Sequence, residues 1–202
     1  MSRLECPEYK INTNYLYIRC MQRSLQLAVT RLEKISEWCG RAISWCILIM
    51  VLIIGYDVFM RYVFHIGSVA LQELEWHLFA MVFLLGASYT LKHDAHVRVD
   101  IFYQSKYMSD VKRAWVDLMG TLLFLFPFCI LIIVSSWDFV ANSFAIAEGS
   151  PDAGGLPYRF ILKAAIPVGF VLLLIQGIAI ALKSIDTIIF YSHNAPAGED
   201  KD

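Results

Sequence analysis

The chain has 202 residues, of which 58% are hydrophobic and 17% charged, and its formal net charge is −1. Soluble domains carry about 25% charged residues, so this composition excludes an ordinary soluble fold and specifies an all-α integral membrane protein. The near-zero total says nothing about partners and offers no basic excess for nucleic acid, whereas the distribution of charge is informative.

The first 41 residues are charged throughout, and the first apolar run comes too late for a cleavable signal peptide. Within residues 15–39, Met21, Leu25, Ala28, Leu32, Ile35 and Cys39 recur at steps of four and three, while Arg23, Lys34 and Glu37 lie off that stripe. This spacing predicts an amphipathic helix. Two placements fit it: the cytoplasmic membrane interface, with arginines near anionic lipid, or a solvated extension of the first span.

Four apolar runs follow, predicting transmembrane helices over 42–64, 74–91, 118–137 and 164–182. Asp57 and Arg61 interrupt the first run, four residues apart and so on one helical face. A lone charge at the bilayer centre costs about 3 kcal/mol on insertion scales, which places the pair near a helix end. A polar contact with another membrane subunit and an intrahelical pair at the interface both account for it. Gly67 and Ser68 begin a short outer connection, and Glu73 and Glu75 then open the second span, where a first-turn acid favours the positive end of the helix dipole.

Beyond Leu91 stand His93, His96, Arg98 and Asp100, the densest polar cluster in the sequence. No cysteine or third histidine lies near His93 and His96, so a juxtamembrane cap, with Arg98 and Asp100 tying the turn, fits better than zinc. Pro127 predicts a kink in the third span, whose helix continues past Trp137. The stretch from Glu148 to Pro157 is rich in Gly and Pro and reads as a loop. In the fourth span Ala165, Gly169, Gly177 and Ala181 form a row of small residues suited to close helix approach, either within this unit or against another protein. Residues 187–202 read as a disordered cytoplasmic tail.

Seven Lys and Arg precede Ala42 and five lie between the second and third runs, against one and two in the other loops. The positive-inside bias therefore puts both termini in the cytoplasm. All five tryptophans, Trp38, Trp45, Trp76, Trp115 and Trp137, sit at run ends, where headgroups favour them. The five cysteines, Cys6, Cys20, Cys39, Cys46 and Cys129, imply no disulfide framework. No glycine precedes a lysine, and neither His-Glu-x-x-His nor Gly-x-Ser-x-Gly occurs, so no catalytic residues, metal site or cofactor are expected and an enzyme is not indicated. An alternative is a membrane anchor of a respiratory complex, with haem held by His77 and His65 or with no haem at all.

The sequence resembles the small, four-helix membrane subunit of tripartite ATP-independent periplasmic (TRAP) transporters. The resemblance rests on Arg61-Tyr-Val-Phe64, on Glu73 to Phe79, and most strongly on the block from Phe83 to Asp100, an apolar Gly-Ala stretch followed by His96-x-Arg98-x-Asp100. The Gly-Ser-Pro-Asp-Ala-Gly-Gly-Leu-Pro157 stretch is similar to that of longer members. The resemblance implies a bacterial inner-membrane scaffold for a large permease subunit, with a periplasmic solute-binding protein as third component, in sodium-driven uptake of an organic acid. It leaves Asp57, Arg61, Glu73, Glu75, His96, Arg98 and Asp100 as docking or structural positions.

Overall fold

The computed structural model describes the backbone of residues 13–93 and 109–194 and the side chains of residues 23–93 and 109–191. No proline interrupts residues 13–63, and they form one unbroken helix, α1 (Thr13–Val63). At 1.5 Å per residue its 51 residues reach roughly 77 Å, more than twice a hydrocarbon core of about 30 Å. Of the two placements the sequence left open for the amphipathic stretch 15–39, the helix follows the second and is continuous with the first span. His65, at φ 57°, ends α1 in the left-handed region, and the amides of Phe64 and Ile66 both donate to the Met60 carbonyl, at 3.0 and 3.3 Å.

The chain returns through α2 (Val69–Lys92), α3 (Asp110–Gly120), a π-helical turn (Thr121–Leu125), α4 (Phe126–Ala145) and α5 (Phe160–Asn194). The stretches Arg23–Val63, Val69–Lys92, Asp110–Ala145 and Phe160–Tyr191 are each long and apolar enough to cross a membrane, and no strand occurs among the described residues. Pro127 lacks the amide that would bond the Leu123 carbonyl, and its ring crowds that carbonyl. The π-helical turn falls just before it, where a wider turn relieves the crowding, and the Thr121 hydroxyl donates to the Asp117 carbonyl at 2.7 Å.

Helix ends differ from the apolar runs because hydropathy marks contact with lipid, whereas helix continues wherever packing supports it. Residues 187–194, expected to be disordered, are helical. Polar ties hold that extension: Gln26 donates to Asp186 at 3.3 Å, and the Tyr191 hydroxyl donates to Asp110 at 2.9 Å.

The helix shared by the others is α5, which packs against α1, α2, α3 and α4, while α1 also packs on α2. Of the most apolar stretch of α5, 33% is buried, against 6–11% in the other spans. Ala165, Gly169, Gly177 and Ala181 are all buried. A Cβ on Gly169 would lie 2.8 Å from the Leu84 carbonyl oxygen of α2, and one on Gly177 would lie 3.0 Å from the Phe126 ring. On α1, Gly40 leaves the space that the Tyr89 ring occupies. The outside is correspondingly apolar, and all five tryptophans are exposed.

Replacing Gly169 by Ala should lower the melting temperature of the detergent-purified chain, since overpacking of this kind costs about 1–3 kcal/mol. Gly55→Ala, where nothing lies within 4 Å, should leave the chain unchanged or stabilise it by up to about 1 kcal/mol. Equal melting of the two variants would contradict the packing described for α5.

Candidate functional site

Polar side chains collect at the two ends of the helices. One end carries the 64–68 and 146–159 connections, and Glu73 is its anchor. Only 4% exposed, its carboxylate accepts from the Ser150 hydroxyl and, at 2.7 Å, from the Leu156 amide. Because α2 begins at Val69, Glu73 and Glu75 lie in its second turn and not its first. The dipole account is therefore weaker than the sequence suggested, and Glu73 is held by the loop instead.

That Gly/Pro-rich loop has a defined course. Ala147, Gly154 and Tyr158 take positive φ, with Gly154 at 82°. The Ser150 amide donates to the Leu156 carbonyl at 3.0 Å and the Arg159 amide to the Glu148 carbonyl at 2.8 Å. Glu148 is ion-paired with Lys163, whose ammonium also lies 4.1 Å from the centre of the Phe139 ring. The Lys163 hydrogen bond holds the Glu148 carboxyl below the usual carboxylate range.

Beside this loop, α1 and α2 enclose a cleft lined by Asp57, Arg61, Gln72, Glu75 and Trp76. Asp57, 4% exposed, accepts from Arg61 through Oδ2. With its amide oxygen turned to the guanidinium, Gln72 accepts from Arg61 Nη2 and Nη1 at 2.5 and 3.0 Å.

The opposite end is tied by pairings that sequence reasoning did not make. Ser36 donates to Gln176 at 2.7 Å, each 1% exposed. Lys92 donates to Glu37 at 2.6 Å, with His93 Nε2 3.4 Å from the same carboxylate and the His93 ring centre 4.4 Å from that of Tyr89. One signal was available: Gln176 is the only amide side chain in the run 164–182. Nothing in the sequence marks Ser36 as its counterpart, or Glu37 as that of Lys92. His96, Arg98 and Asp100 lie outside the described residues.

No three His, Cys, Asp or Glu side chains converge on a metal-binding geometry among the described residues. His77 Nδ1 lies 2.5 Å from the Glu73 carbonyl of its own helix, which occupies one ring nitrogen in a local hydrogen bond. Most of these groups bond one another, and the geometry suits tying helices together and presenting surfaces.

The model of the family described as "Tripartite ATP-independent periplasmic transporters, DctQ component" matches residues 50–187, more than half of the chain. The chain belongs to this family. It is a transmembrane small permease subunit of the TRAP type, a transporter component rather than a respiratory anchor. No curated protein matches it. The match covers the cleft, Glu73 and the loop it holds, and it excludes most of the helical stalk of α1.

Glu73→Gln should release the loop, because its acceptors bond more strongly when charged. Hydrogen exchange at the Leu156 amide should accelerate by about tenfold or more; unchanged protection would remove Glu73 as the anchor. The Glu148–Lys163 tie has the sign of a depressed carboxyl: its stabilisation is complete above the ordinary Glu range, near pH 4.3, and is lost as pH falls through the lowered value. Protection of the Arg159 amide should therefore persist at about pH 5 and fail only in stronger acid.

Proposed function

We propose that this chain scaffolds a large permease subunit in sodium-driven, binding-protein-dependent uptake of an organic acid across the bacterial inner membrane. The observation that carries this reading is the continuity of its spans. Ion- and solute-coordinating transporter subunits use broken helices whose unwound backbone faces the midplane, whereas the described spans here stay helical and keep their charged groups at their ends. Such a unit supplies shape and fixed surfaces, and the coordination chemistry falls to its partner.

The same proposal fixes an orientation. The abundance of Lys and Arg before Ala42 and between the second and third spans puts the Glu37–Lys92 end in the cytoplasm. The Glu73-anchored loop then faces the periplasm, where Asp152 to Pro157 is available to a solute-binding protein. His96, Arg98 and Asp100 join the proposal as cytoplasmic docking positions, supported by the sequence block that carries the family resemblance.

Deleting the chain while the permease and binding protein are retained should abolish sodium-dependent solute uptake. Uptake that survives the deletion, with the permease still in the membrane, would overturn the scaffold role. Reporter fusions should be active on the cytoplasmic side at Lys106 and on the periplasmic side at Asp152, and the reverse pattern would overturn the orientation.

A further inference from the structure

The cleft between α1 and α2 holds more negative charge than it neutralises. Its polar lining contains two carboxylates, Asp57 and Glu75, and one cation, Arg61. The guanidinium is engaged by Asp57 Oδ2 and by the Gln72 oxygen. Asp57 Oδ1 and Glu75 Oε1 are both buried and without a partner. A buried carboxylate oxygen without a donor is costly, and the usual remedy is a second charged donor.

No residue of α5 lines this cleft, and its rim is apolar and open: Val58, Tyr62 and Trp76 are all exposed. Phe79 and Phe83, one and two turns further along α2 from Trp76, continue the exposed apolar face toward the membrane interior. The cleft thus combines a net negative charge with a surface that water does not favour. Asp57 lies six residues inside the end of α1, about 9 Å along the helix, and is itself buried.

We propose that a lysine or arginine side chain of the large permease subunit inserts into this cleft, bonding Asp57 Oδ1 and Glu75 Oε1, while the apolar rim packs against the same partner. This rests on the scaffold reading above and names the part of the surface that does the docking. Charge complementarity selects the occupant: with Arg61 already engaged, one added cation makes the cleft neutral and supplies the missing donors.

The test is recovery of the large subunit with an affinity-tagged small subunit after co-expression. The parent chain should recover the permease. Against it, Glu75→Asp should keep most of that recovery, Glu75→Gln should lower it several-fold, and Glu75→Lys, which places like charges together, should abolish it. Asp57→Asn combined with Glu75→Gln should also abolish it, with melting of each variant alone checking that the fold is intact.

An order that follows side-chain size and not charge, with Gln equal to Glu, would overturn the proposal. So would loss of recovery that depends on phosphatidylethanolamine in the membrane, which would assign the cleft to a lipid amine. Failure of the parent chain itself to recover any permease would remove the scaffold reading and this inference together. Parent recovery with no charge order would remove the inference alone.

Discussion

Inside a bilayer, no hydrophobic force presses one apolar helix against another, because lipid tails already solvate both. Helices associate there only where backbones approach closely or polar groups bond. This constraint accounts for the distribution of order in the molecule. α5 carries the small residues, and it is the helix the others share. Away from it the spans are largely exposed, as their large apolar side chains show. What the small residues leave undone is completed at the two ends by Glu73 with the loop and by Ser36 with Gln176.

The four spans were legible because hydropathy reports directly on lipid contact. Helix limits were not, since α1 and α5 continue as helix after leaving the apolar runs. Asp57 and Arg61 could be paired from sequence because helical geometry relates residues four apart. Glu73 could not be connected to Ser150 and Leu156, which lie 77 and 83 residues away. No periodicity spans that distance. Gln176 was conspicuous as an amide in an apolar run, but its partner on another helix was not, because specific pairing depends on the packing register.

The two ends differ in kind. At the loop end Glu73 and the Glu148–Lys163 pair organise an irregular segment whose backbone needs positive φ at three positions, so side-chain charges set the shape of a loop. At the opposite end the ties run helix to helix: α1 to α2 through Glu37 and Lys92, α1 to α5 through Ser36 and Gln26, and α3 to α5 through Asp110 and Tyr191. A loop held by a few bonds can yield locally, whereas helices joined at several levels resist displacement.

The length of α1 bears on what such stiffness is for. About 20 residues suffice to cross the hydrocarbon core, so more than half of this 51-residue helix lies beyond it. A long helix standing alone in water is marginal, but Ser36 and Glu37 at one level and Gln26 ten residues earlier tie this helix to α5 and α2. The stalk is thereby an extension of the membrane unit and not a tether. A partner gripping it is fixed in orientation as well as proximity.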